Sequence, residues 1–153
     1  SNDFASTLAV IKHAVTWYLK KNFKINNVCC IYPASPLLKK KYLIEGYKKI
    51  KSNNWKYVFS ASKHEKSIHR SFSLNKRFGV SMLMPKYYSY SSKLLEDTYL
   101  DAGSFYWGKK DSWLDSNSQI FSSKSTIVEI PSYEAQDIDT IEDWKKLTLK
   151  FKK

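Results

Sequence analysis

Apolar residues return every three to four positions early in the chain: Phe4, Leu8, Ile11, Val15 and Leu19, with Lys12, Lys20 and Lys21 off that stripe. The period predicts an amphipathic helix capped by Asn2 or Asp3. NNVCCIYP then breaks the period. It is short, apolar and bounded by Asn and Pro, which predicts a buried strand over 28–32. PASP ends it, and a second helix is expected over 38–51 with Leu43, Tyr47 and Ile50 on one face. WKYVFSAS reads as a second strand. Helix, strand, helix, strand is the rhythm of a sheet with crossover helices.

The pattern changes in the middle. SIHRSFSL and FGVSMLM, separated by NKR, predict a hairpin of two short antiparallel strands. PKYYSYSSKLLEDTYL is polar and aromatic without a period, and reads as a loop with a helical turn. GSFYWG predicts a short strand enclosed by Gly103 and Gly108, KKDSWLD a helical turn and STIVEIP another strand. Thr140 and Asp143 form a capping-box pattern ahead of a last helix whose buried face is Trp144, Leu147 and Phe151.

A chain of 153 residues is one domain's worth, expected to fold as a single unit over 1–153. Only 4 Gly and 4 Pro are present, so no long flexible linker divides it. No apolar run reaches the length of a membrane span and no signal peptide opens the chain, so a cytoplasmic protein is expected. Its two cysteines, Cys29 and Cys30, are adjacent in an apolar run, which suits a buried strand in a reducing compartment better than a disulfide framework. Net charge is +12 and uneven: residues 1–70 carry 14 basic against 3 acidic side chains, residues 71–153 carry 12 against 11. A basic half of this kind suits nucleic acid or anionic substrates. Of those 14 only Arg70 is arginine, and phosphate and base readout leans on arginine, so nucleic acid is the less expected partner.

Candidate chemistry starts with Asp137 and Asp139 in YEAQDIDTIEDW. In an extended segment their side chains point the same way about 6–7 Å apart. They then repel by about 2–3 kcal/mol at an effective dielectric near 20. The dipole of the following helix stabilises Asp139 but leaves Asp137 uncompensated. A divalent cation such as Mg2+, bound by carboxylates, water and phosphate, compensates both. In DAGSFYWG, Asp101 precedes Gly103, which lets a ligand or another chain approach the backbone; taken alone, the motif is better explained as a tight turn into a core strand. IYPASPLL places Tyr32 and Ser35 at the carboxyl end of a strand, where open α/β sheets bind ligands. His13, His64 and His69 lack the company of a zinc site, and neither a nucleophile–His–acid set nor a glycine-rich phosphate loop is found.

In order, CCIYPASPLL, FSASKHEKSIHRSF, DAGSFYWG and QDIDTIEDW resemble the acylneuraminate cytidylyltransferase family, and within it the pseudaminic acid cytidylyltransferases. The resemblance runs over nearly the whole chain. It implies an α/β fold, a nucleotide-diphospho-sugar transferase-like three-layer sandwich with a mixed, mostly parallel sheet. It implies transfer of CMP from CTP to an acidic nine-carbon sugar, with release of pyrophosphate. Asp137 and Asp139 then match the family's Mg2+-holding Asp-x-Asp. Tyr32, Ser35, Arg70, Asp101, Gly103 and Gln136 fall on substrate-binding positions, and a homodimer is common in the family.

Three features depart from the family pattern. Its phosphate-gripping segment of the form A-R-x-G-S-K is absent, so the chain reads as the C-terminal two-thirds of such a domain, lacking the N-terminal strands and inactive by itself. Ser91 stands where the family has an Arg, and Leu100 where it has a His. The alternatives are a degenerate family member without catalysis and a basic nucleic-acid-binding module.

Overall fold

The computed structural model describes residues 6–33, 35–52, 54–135, 138 and 140–151. The first helix, α1 (Thr7–Lys20), is capped by Ser6, whose hydroxyl accepts from the Ala9 N–H at 3.3 Å. The predicted caps Asn2 and Asp3 lie outside the described residues. Asn22, in the left-handed region at φ 63°, stops the helix. Strand β1 (Asn27–Ile31) follows, then α2 (Lys40–Lys51) and β2 (Tyr57–Lys63). The expected hairpin is present as β3 (Phe72–Asn75) and β4 (Gly79–Met82), and the aromatic stretch after it contains two short 3-10 turns. Then come β5 (Tyr99–Lys109), α3 (Lys110–Leu114), β6 (Ser125–Glu129) and α4 (Ile141–Phe151).

The main sheet has the order β1-β5-β2-β6. β6 runs parallel to β2, while β5 pairs antiparallel with both β1 and β2. Three strands therefore point one way and β5 the other. Alternation along β2 divides the core. Tyr57, Phe59 and Ala61 face α1 and α3, meeting Ile11, Val15 and Trp113; Val58 faces α2, meeting Tyr42, Ile50 and Phe105. Helices cover both faces, which gives the three-layer α/β arrangement.

Four predicted details change. β1, expected to be buried, is only half-buried and Ile31 is 51% exposed, because the strand lies at the edge of the sheet. The buried face of α2 is Tyr42, Gly46 and Ile50; Leu43 is only partly buried and Tyr47 is 42% exposed. The reason is Gly46: an added Cβ would lie 2.7 Å from Trp107 Cδ1, so the helix turns its bare position onto the sheet. β5 begins at Tyr99 instead of Gly103, because β2 extends to Lys63 and needs Tyr99 to Asp101 as partners. On α4 the capping box forms, with the Thr140 N–H donating to Asp143 Oδ2 at 3.1 Å and the Asp143 N–H to Thr140 Oγ1 at 3.2 Å. Leu147 is buried but Trp144 is 60% exposed, and the Phe151 side chain is outside the description. Apolar spacing says which residues share a side of a helix; it does not say what covers that side.

Candidate functional site

Strand directions gather the candidate residues. The carboxyl ends of β1, β2 and β6 and the amino-terminal half of β5 lie along one edge of the sheet, since Ile31 pairs with Phe105, Lys63 with Tyr99 and Ala61 with Glu129. Tyr32 and Ser35 follow β1, Arg70 follows β2, Asp101 and Gly103 lie in β5, and the segment that contains Gln136, Asp137 and Asp139 follows β6. Those last three residues lie outside the described residues, so their side chains are not placed.

Asp101 and Gly103 form a bulge, not a turn. On β2, Phe59 pairs with Tyr106 and Ala61 with Asp101, so the intervening Ser60 faces the extra residues of β5. Gly103 supplies the left-handed conformation, φ 60°, that the bulge requires. The buried Ser60 hydroxyl accepts from the Ser104 N–H at 3.0 Å and the Phe105 N–H at 3.1 Å. Asp101 Oδ1 accepts from the Gly103 N–H at 3.0 Å, and Oδ2 from the Tyr106 hydroxyl at 2.5 Å. Burial and then that bond push the Tyr106 phenol well above its usual range, so it stays a proton donor. Both Asp101 carboxylate oxygens are thus engaged in holding the strand's shape.

Tyr32 is tied to the same region. Its N–H donates to the Ser104 carbonyl at 3.1 Å, its ring leans on Tyr106 and its hydroxyl is hydrogen-bonded to that of Thr7 at 2.5 Å. Ser35 is half-buried, and its carbonyl accepts from the Leu38 N–H at 3.1 Å at the start of the approach to α2.

Arg70 ends a 3-10 turn, Ile68–Arg70, and is exposed. The turn is pinned by His69, whose Nδ1 shares a hydrogen bond with Ser67 Oγ at 2.9 Å and whose ring meets Tyr87 edge-on at 4.4 Å. Arg70 lines an open cleft of about 760 Å³ with Lys63, Lys66, Phe72 and Asp97. Lys63 donates to Asp97 Oδ2 at 2.6 Å. In the cleft wall the buried Thr98 hydroxyl has no hydrogen-bond partner among the described residues. A smaller depression of about 350 Å³ shares Lys63 to Lys66 and reaches Leu100 and Ser132, linking the cleft to the segment after β6.

Sequence reasoning missed Glu134. It is 7% exposed, in a turn where its own N–H donates to the Pro131 carbonyl at 2.8 Å. Oε1 accepts from Lys39 Nζ at 2.7 Å and Oε2 from the Tyr42 hydroxyl at 2.9 Å. The bond to Lys39 first, then that to Tyr42, holds the Glu134 carboxyl below its ordinary range against the opposing effect of burial. Nothing in the local pattern marks this residue, because its partners are more than ninety positions away. Ser60 was missed for the same reason: FSAS reads simply as strand.

The remaining chemistry is limited. Cys29 and Cys30 are free, and burial pushes the Cys29 thiol up to about 12, so it is not a thiolate nucleophile at neutral pH. No group of three or more His, Cys, Asp or Glu side chains suited to a metal occurs among the described residues. No helix among them is long and apolar enough to cross a membrane.

Comparison with known proteins finds relatives of one kind. No family profile matches the chain. Two relatives, both named pseudaminic acid cytidylyltransferase, come from Campylobacter jejuni serotypes O:2 and O:23/36; they are 38% and 36% identical over 94% of this chain. The chain is a homologue of these cytidylyltransferases. A third relative, from Helicobacter pylori, is 34% identical over 90% of the chain and is named as a pseudaminic acid cytidylyltransferase joined to a UDP-2,4-diacetamido-2,4,6-trideoxy-beta-L-altropyranose hydrolase. The chain spans 61% of the length of each Campylobacter cytidylyltransferase and 26% of the Helicobacter protein.

Proposed function

We propose that this chain is the sugar- and metal-facing part of a CTP-dependent nonulosonate cytidylyltransferase. The supporting observation is the convergence of Tyr32, Arg70, Asp101 and Gly103 on the edge of the sheet from which the Asp137–Asp139 segment departs. The names of the relatives support the reaction in this reading, in which CMP passes from CTP to a pseudaminic-type acid. A sugar hydroxyl attacks the α-phosphorus, and pyrophosphate leaves. Arg70, on the rim of the cleft, attracts the sugar carboxylate and the triphosphate. The loop at Tyr32 and Ser35 follows β1 on the same edge of the sheet, and this reading gives Gln136 a substrate-binding role as well.

Mg2+ suits the acids that this reading assigns to it. The family resemblance assigns the ion to Asp137 and Asp139, whose carboxylates are hard oxygen ligands, while both Asp101 oxygens are engaged by Gly103 and Tyr106. When bound, the ion would neutralise charge on the phosphates. The chain's own residues orient the substrates: the Ser60-braced bulge keeps β5 close to the strand ends, and Arg70 holds the anion.

The test uses the full-length gene product with Mg2+, CTP and either pseudaminic acid or N-acetylneuraminic acid, following pyrophosphate. Release is expected with pseudaminic acid. Asp139→Ala should abolish it with circular dichroism unchanged; retained activity removes the metal assignment. The isolated 153 residues, matching only part of the relatives' length, should not turn over CTP.

A second reading draws on Leu100 and Ser91. Leu100 is 58% exposed beside the cleft, and Ser91 caps a 3-10 turn. Neither brings a charge to an acidic sugar, which favours a member that binds its ligands without transferring CMP. Calorimetric heats with CTP and sugar, without pyrophosphate release, would single out that reading.

A further inference from the structure

We infer that the carboxyl end of α1 is a docking surface for an anionic lipid bilayer, built from Trp17, Tyr18 and Phe23 with Lys20, Lys21 and Lys24. α1 has two apolar sides. Ile11 and Val15 are buried, while Val10, Ala14 and Trp17 recur at helical spacing on the opposite side and face solvent. Val10, Trp17, Tyr18 and Phe23 are each between 46% and 56% exposed. The left-handed turn at Asn22 brings Phe23 back onto the helix: its N–H donates to the Tyr18 carbonyl at 3.2 Å, and its ring meets Tyr18 edge-on at 5.3 Å. Tyr18 meets Trp17 in the same way at 5.0 Å. Aromatic rings flanked by lysines are the side chains that settle at a membrane–water boundary.

Charge selects the partner. Residues 4–44 hold seven lysines and no aspartate or glutamate. Lys20, Lys21 and Lys24 take part in no ion pair among the described residues, and Lys21 Nζ lies 5.8 Å from the centre of the Trp17 ring. The positive region continues past Lys24. Ile25 and Asn26 line a cleft of about 620 Å³ with Lys51, Lys109 and Lys110, against one acid, Asp111, itself 3.3 Å from Lys110. Area argues against a protein partner. The exposed part of the three aromatic rings and Val10 is on the order of 300–400 Å², short of the roughly 800 Å² that each partner buries in a stable protein interface. A bilayer needs only shallow insertion of the rings, with each lysine near anionic headgroups adding attraction. Thr7 bonds Tyr32 at the edge of the sheet that carries the candidate site, so Lys20 lies about 20 Å from it along the helix. A molecule docked by this end keeps that edge clear of lipid.

The experiment is co-sedimentation of the full-length protein with vesicles of phosphatidylcholine alone, or of equal parts phosphatidylglycerol and phosphatidylcholine, at about 50 mM and about 500 mM salt. The protein should pellet with the anionic vesicles at low salt, be released at high salt, and stay in solution with phosphatidylcholine. Trp17→Ala with Phe23→Ala should weaken binding about tenfold. Lys20→Gln, Lys21→Gln and Lys24→Gln together should weaken it about a hundredfold. Circular dichroism should be unchanged in both. Lys76→Gln, Lys93→Gln and Lys124→Gln together remove the same charge from exposed sites elsewhere, and should pellet as the parent does. Should the aromatic changes unfold the protein, the two lysine triples carry the test. If the parent does not pellet, pellets equally with phosphatidylcholine alone, or loses binding equally in the two lysine triples, the inference is overturned. If Trp17→Ala with Phe23→Ala binds vesicles as the parent does but halves the molar mass in light scattering, the surface joins two copies of the chain and the lipid assignment falls.

Discussion

Ser60 shows how much one hydroxyl can carry. It is fully buried and satisfies two backbone N–H groups in the β5 bulge. Ser60→Ala leaves both donors without a partner, and should lower stability by about 2–4 kcal/mol in urea unfolding. Glu134 makes a pH-dependent contribution. Its carboxyl is held below its ordinary value of 4.5, so its stabilisation is complete above that value and is lost as pH falls through the folded one. Lys39 is raised above its ordinary 10.5, chiefly by the Glu134 bond, so its side of the pair is complete below that value and lost as pH rises through the folded one. The melting-temperature difference between the parent and Glu134→Gln should therefore be flat from about pH 5 to pH 10 and shrink at both extremes. A difference that persists well below pH 4 would rule out the ion pair as its source. Residues of this kind were not legible in the sequence. Asp101 was, as part of a motif, but its work inside a strand depends on Tyr106 and on a φ that only the fold supplies.

The elements themselves were largely legible, because each has a clear period or a clear boundary. What periodicity could not give was which side of a helix meets the sheet, as Gly46 in α2 and Trp144 in α4 show. Close approach at Gly108 is another such tertiary fact. A Cβ there would lie 2.4 Å from Trp113 Nε1 and 2.8 Å from Tyr57 Cδ1, both in large buried rings. Gly108→Ala should destabilise by about 1–3 kcal/mol, read from the urea midpoint. The β3–β4 hairpin is the opposite case. All four residues of β3 are exposed, and so are Val80 and the linking Phe78. Two strands with water on both faces are only marginally stable. Hydrogen exchange should show the β3 and β4 amides opening locally, while those of β2 exchange only with global unfolding. Equal protection in both would mean that something else covers the hairpin.

Across the whole molecule, the excess of lysine in the first half finds uses within the fold. Lys48, Lys49 and Lys51 lie in the last turn of α2, where the helix dipole favours cations. Lys49 also donates to the Ile127 carbonyl at 2.9 Å, and Lys12 to Ser116 Oγ at 2.7 Å. We therefore expect no saturable retention of DNA or RNA by the full-length protein on filters at about 150 mM salt; strong retention with a steep salt slope would favour the nucleic-acid alternative. The fold class could be read from the alternation of helices and strands, whereas the central place of β5 could not, since nothing local tells a strand which neighbours it will have. That place has a consequence for synthesis. β1 and β2 never touch as a pair in the sheet; each finds its ladder on β5. As the chain leaves the ribosome, two strands rich in apolar side chains must wait, unpaired, until Lys109 has emerged. During that interval the nascent protein is most exposed to aggregation, and this is when a chaperone would matter to it.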